Sequence, residues 1–127
     1  MKRNVFMIIA SILATFFGAH MLIGPGKMLE NVVSTNTIEM QHVLQWGGCG
    51  LIAIGIIIFL ARNDQGSQAL KAIMIGNILL HVLAFGVDLY QFNIDFIKSS
   101  GLIMGAVVHG LLIFGFSFYL AKLTKTS

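Results

Sequence analysis

The chain has 127 residues, of which 57% are hydrophobic and only 10% charged, with a mean hydropathy of +0.88; an ordinary soluble domain carries about 25% charge. That balance excludes a soluble globular domain, and also a disordered chain, which needs low hydrophobicity and high charge. Eight Lys and Arg against five Asp and Glu leave a net charge of +3, too few cations for a surface that tracks phosphates, so no nucleic-acid partner is expected. The single cysteine, Cys49, permits no intrachain disulfide and indicates no compartment.

Four segments approach the roughly 20 apolar residues that a helix needs to cross hydrocarbon. Residues 5–23 carry no charge and stop at Gly24-Pro25-Gly26. Residues 43–61 are also uncharged and end in Arg62-Asn63-Asp64-Gln65-Gly66-Ser67, whose Asn, Asp, Gly and Ser favour leaving a helix. Residues 69–91 form the least apolar segment, with Asn77, His81 and Asp88 inside it, and residues 101–121 form the fourth. Backbone polar groups in lipid must be satisfied internally, and each run far exceeds the roughly 10-residue strands of a membrane barrel, so all four are expected to be helical. The expected fold is all-α: one four-transmembrane-helix bundle spanning 1–127, with helices at about 4–24, 41–61, 69–91 and 101–121 and the lipid bilayer as its solvent. A Lys-Arg start before an apolar run also suits a cleaved leader, but about 19 residues exceed the usual 7 to 15, and Phe17-Gly18-Ala19 is a poor cleavage site.

The cations orient this bundle. Lys2, Arg3, Arg62, Lys71, Lys122 and Lys125 fall on one side, and only Lys27 and Lys98 on the other, where Glu30, Glu39, Asp88 and Asp95 also collect. Both termini are therefore expected in the cytoplasm, and the pI near 9.3 reports orientation rather than an acidic partner.

Polar residues within the spans carry the functional information, because each must offset a transfer penalty. His20, His42, His81 and His109 place one histidine on each helix. At about 1.5 Å per residue, His81 lies roughly 15 Å and His109 roughly 12 Å below the same surface, so the two rings are expected to be level and to pair. Asn77, His81, Ala84, Asp88 and Gln91 recur at spacings that share one helix face, a polar stripe expected to look into the bundle, a cavity or another subunit. Asp88 lies about 10 Å along the axis from His81, within reach through one or two waters. His20, His42 and Gln45, with Asp88 and Gln41, make a candidate second polar layer nearer the surface. The plain alternative for each histidine is an interhelical hydrogen bond worth about 1 kcal/mol, and for Asp88 a reach into the headgroups.

Small residues mark helix contacts: Ala10, Ala14 and Gly18 beside Ser11 and Thr15; Gly47, Gly48, Gly50 and Gly55; and Gly101 and Gly105 on the face of His109. Trp46, Tyr90 and Tyr119 lie near span ends, where aromatic side chains anchor at the membrane interface. No Cys-x-x-Cys-His, His-x-x-x-His or Glu-x-x-His pattern supports haem or metal binding, although a b-type haem between His81 and His109, or zinc or copper at His20, His42 and Asp88, is compatible with the residues present. His42, Cys49 and Ala53 share a face, but two turns separate imidazole from thiol, and no nucleophile elbow, phosphate loop or dinucleotide fingerprint occurs, so no catalytic residue is assigned.

Trp46-Gly47-Gly48-Cys49-Gly50-Leu51 running into Gly55, the break at Ala61-Arg62-Asn63 and the central His81 resemble a broad set of small uncharacterised bacterial four-helix integral membrane proteins. The Gly18-Ala19-His20 motif is similar to one near the end of the first helix in another small family. The resemblance implies the same fold and a multi-pass location in the bacterial inner membrane, and brings no established activity.

The leading expectation is a non-catalytic membrane protein whose polar stripe binds or passes a small lipophilic or protonatable ligand through Asn77, His81, Asp88 and His109. The alternatives are a haem- or metal-bearing redox anchor, and a structural subunit that pairs with itself or with a partner membrane protein through its polar face.

Overall fold

The computed structural model describes residues 1–125, with the side chain of Lys125 outside the described set. Five helices follow one another: α1 (Arg3–Ile23), α2 (Pro25–Val32), α3 (Ile38–Ala61), α4 (Gln68–Asn93) and α5 (Ser99–Lys125). Four of them, all but α2, are long and apolar enough to cross a membrane. Their outward faces carry exposed Ile12, Phe16, Leu60, Leu83 and Phe114, as expected of helices whose solvent is hydrocarbon.

The sequence reading missed α2. Pro25 occupies its first turn, where the absent N–H is no loss and the fixed φ suits a helix. Its eight residues are too few and too polar to register as a span, yet Leu29 is buried and joins Val33 and Ile97 in a small cluster. An antiparallel bridge between Val33 and Ile97 closes this end of the bundle, secured by Ser34 N–H to the Phe96 carbonyl at 2.9 Å and Lys98 N–H to the Val32 carbonyl at 2.8 Å. The long helices also start earlier than apolar content alone suggests, because caps precede it. Thr37 accepts from Met40 N–H and opens α3, and Ser67 accepts from Leu70 N–H and opens α4. Before α4, the Asp64 carboxylate accepts from the Ser67 and Gly66 N–H groups and the Ser67 hydroxyl. The Ser67 backbone bond, then its hydroxyl, then Gly66 hold the Asp64 carboxyl below its ordinary value.

Two hairpins result, α1 with α3 and α4 with α5, each packed more extensively within itself than against the other. The first is held by near-direct backbone contact. A Cβ at Gly18 would lie 2.8 Å from the Gly48 carbonyl oxygen, one at Gly48 would lie 2.7 Å from the Gly18 carbonyl oxygen, and one at Gly55 would strike the Thr15 hydroxyl. Of the glycines expected at helix contacts on this span, Gly48 and Gly55 serve there. Gly47 meets only the tip of Met21 and Gly50 faces open space, because the interface admits only residues one or two turns apart on a single face.

The hairpins join at the end that holds both termini. Phe6, Met7 and Ala10 of α1, Ile58 of α3, Leu70 and Met74 of α4, and Leu112, Phe116 and Tyr119 of α5 form one buried cluster. Tyr119 was expected as an interface anchor; it is instead 7% exposed and donates to the Met1 carbonyl at 2.6 Å, while Trp46 and Tyr90 remain exposed. Arg3 donates to the Asp64 carbonyl, which ties the α3–α4 turn to the N-terminus.

Gly48→Ala should cost roughly 1–3 kcal/mol, because the added methyl meets the Gly18 and Leu22 backbone and the Met21 Cβ fixed to it, none of which can move without the helix. Gly50→Ala, with no atom to meet, should leave stability within about 0.5 kcal/mol of the parent. Denaturation midpoints of the two purified variants in detergent would check the contrast.

Candidate functional site

Between the two hairpins lies a cavity of about 320 Å³, at the lower end of the roughly 300–1,000 Å³ of small-molecule sites. The terminal-end cluster closes one end, through Ile58 and Phe116, and Met28 and Val32 of α2 line the other. Its walls are apolar side chains of α1, α3 and α5, including Leu13, Ala14, Phe17, Leu51, Met104 and Val108, and among the described residues its only polar side chains are Asn77, His81, Asp88 and His109. All four expected ligand-binding residues thus line one space, whereas Ala84 and Gln91 of the stripe do not. The hairpins meet loosely on both sides, α1 against α5 and α3 against α4.

Three of the four groups, His81, His109 and Asp88, are linked in order. Asn77 and His81, one turn apart on α4, are 6% and 8% exposed. Asn77 Nδ2 donates to the Ile73 carbonyl at 2.8 Å; a helical carbonyl can only accept, so the amide oxygen must face the other way. That oxygen is buried without a partner. His81 Nδ1 lies 3.0 Å from His109 Nδ1, consistent with the expected equal depth of the two rings. His109 Nε2, on the far side of its ring, lies 3.5 Å from Asp88 Oδ2. The expectation of water between His81 and Asp88 is therefore corrected: the His109 ring from α5 stands between them, and the ring with its 3.0 Å and 3.5 Å contacts bridges two turns of α4.

Gly105 makes this possible. A Cβ there would run into the Asp88 carboxylate, so the glycine that sequence reading assigned to helix packing instead seats a carboxyl group, one turn before His109. Gly101, by contrast, gives passage to Val32 of α2.

The second polar layer does not assemble. His42 accepts from its own-helix neighbour Trp46 Nε1 at 3.1 Å and Gln45 donates to the Leu22 carbonyl. His20 lines a shallow surface depression with Lys27, Glu30 and Gln41. Asp88 is held across the cavity by Gly105 and His109, and a carboxylate committed there cannot also join α1 and α3. Among the described residues no three His, Cys, Asp or Glu side chains converge as a metal set, and the two nitrogens of His109 face different partners. Haem ligation by His81 and His109 needs about 4 Å between the coordinating nitrogens, twice a metal–nitrogen bond of roughly 2 Å; at 3.0 Å the rings bond each other. Cys49 is exposed and takes no part.

Against known proteins, the chain matches no family profile, no curated protein and no solved structure, so the likeness to small bacterial four-helix membrane proteins rests on the sequence pattern alone.

A buried carbonyl with no donor costs roughly 1–3 kcal/mol. Asn77→Leu, which removes that orphan and one short-range bond while adding apolar volume, should therefore raise the unfolding free energy by about 1 kcal/mol. A stability gain on removing the most buried polar side chain of the cavity, measured by denaturant unfolding in detergent, would mark Asn77 as retained for something other than folding.

Proposed function

We propose that this protein is a multi-pass inner-membrane protein of bacteria, with both termini cytoplasmic, that binds a small lipophilic molecule by its polar end. The observation that carries the reading is the cavity between the hairpins, apolar except for Asn77 and the contacting side chains of His81, His109 and Asp88. An apolar body matches the walls, and a polar end replaces the partner that the Asn77 oxygen lacks. Intramembrane ionisable residues that face an interior are functional by default, since lipid penalises them without recompense. Entry from the bilayer between the loosely joined hairpins needs no aqueous path. For orientation, Lys2, Arg3, Arg62, Lys71 and Lys122 belong to the end with the termini, and Lys27 and Lys98 to the α2 end, as the bias of cations towards the cytoplasm requires.

Two measurements test this. A green fluorescent protein fused to the C-terminus should fluoresce in a bacterial host, and alkaline phosphatase fused at the same point should be inactive; the opposite pair of results rejects the orientation. Protein purified in mild detergent should carry a near-stoichiometric lipophilic compound, detected by mass spectrometry of an organic extract. The Ala14→Phe variant, which fills the cavity from α1, should carry at least tenfold less. Equal amounts on both proteins, or none on either, would reject a cavity ligand.

A further inference from the structure

The order of the hydrogen bonds assigns a direction to the site. Imidazole has one N–H and one bare nitrogen when neutral, so each ring that accepts on one side donates on the other. His109 Nε2 faces Asp88 Oδ2 at 3.5 Å, a charge contact longer than a normal hydrogen bond; with Asp88 as a carboxylate it favours the His109 proton on Nε2, so that His109 Nδ1 accepts and His81 Nδ1 donates across their 3.0 Å contact. His81 Nε2 is then a bare acceptor. One turn away, the Asn77 amide oxygen is a second acceptor, buried and unpartnered. Asp88, with its side chain 25% exposed, stands at the other end of this series of contacts, towards α2. Among the described residues no other titratable side chain lines the cavity: α1, α2 and α3 contribute only apolar ones, and α5 only His109.

We propose that His81, His109 and Asp88 form a proton relay whose working atom is His81 Nε2, and that the occupant of the cavity is a lipophilic molecule with an acidic hydroxyl of the phenol type. This rests on the ligand-binding reading above. The step balances without a co-reactant. The hydroxyl O–H breaks as its proton joins His81 Nε2; the Nδ1 proton of His81 passes to His109 Nδ1; the Nε2 proton of His109 passes to Asp88 Oδ2. Both rings stay neutral and exchange tautomers, and one negative charge moves from Asp88 to the ligand oxygen. The separation of 3.5 Å at His109 and Asp88 closes to hydrogen-bond range as the occupied site tightens. Asn77 Oδ1 accepts from a second donor on the ligand or from a water beside it.

The relay is testable without any ligand. In the full chain labelled with ¹⁵N-histidine in lipid nanodiscs, with resonances assigned by His81→Phe, His109→Phe and the corresponding variants at His20 and His42, the expected pattern is Nδ1–H on His81 and Nε2–H on His109. Asp88→Asn offers an amide N–H to His109 Nε2 and should reverse both rings, so that His81, two hydrogen bonds away, gains a proton on Nε2. Loss of geometry alone would not produce that reversal. If Asp88→Asn does not fold, Gly105→Ala, which displaces the carboxylate, should abolish the tautomer preference of His81 instead. The same tautomer on both rings of the parent protein, or a His81 spectrum indifferent to these changes, overturns the relay.

For the occupant, 4-hexylphenol should shift the His81 Nε2 resonance and bind at least tenfold more tightly than its methyl ether, 4-hexylanisole. Equal binding of the two would leave a lipophile site and overturn the hydroxyl assignment. Binding of neither, with the tautomers as expected, overturns the ligand class.

Discussion

Gly18, Gly48 and Gly55 let α1 and α3 meet backbone to backbone, and the rest of the bundle is arranged around that contact. Between helices that face lipid on their other sides, apolar burial contributes little to association, so close van der Waals approach and interhelical hydrogen bonds must hold them. The first hairpin uses the former. The second has Gly76, Gly86 and Gly110 facing open space, and its two helices are joined by the His81–His109 bond and the Asp88–His109 contact. Two different means of holding a hairpin therefore sit side by side, and a cavity lies where they meet.

That division explains why the polar groups line a space instead of being packed away. An interhelical hydrogen bond in a membrane is worth only about 0.6–2 kcal/mol, and a single His–His pair would supply most of it. The addition of Asp88, the glycine that seats it and an amide oxygen left without a donor goes beyond what joining α4 to α5 requires. Each of these lowers stability relative to an apolar residue of the same shape, and all of them open on one cavity. The small helix α2 then covers the end nearest Asp88 with Met28 and Val32, so that the carboxylate lies close to the boundary while the histidines lie deeper.

Much of this was legible in the chain because hydrophobic length and helical period are local properties. The four spans follow from runs of about 20 apolar residues, and the shared face of Asn77, His81 and Asp88 follows from the 3.6-residue turn. The equal depth of His81 and His109 needed only the rise per residue and a short connection. Helix α2 was not legible, since eight mixed residues acquire helical structure from Pro25 and from burial of Leu29 against Ile97, a partner more than sixty residues away. Nor was the role of Gly105, because a glycine that makes room for a helix and one that makes room for a carboxylate look the same in sequence.

The amino-acid sequence by itself determined the four helices long and apolar enough to cross a membrane and which face of α4 is polar, since these depend on the energy of each residue in hydrocarbon and on the geometry of one helix. Only the tertiary structure decided which helices pair, that His109 bridges His81 to Asp88, that His20, His42 and Gln45 stand apart, and that Tyr119 turns inward to Met1. Those outcomes depend on rotations of whole helices about their axes, which small differences in packing at a few glycines set and which no local periodicity encodes.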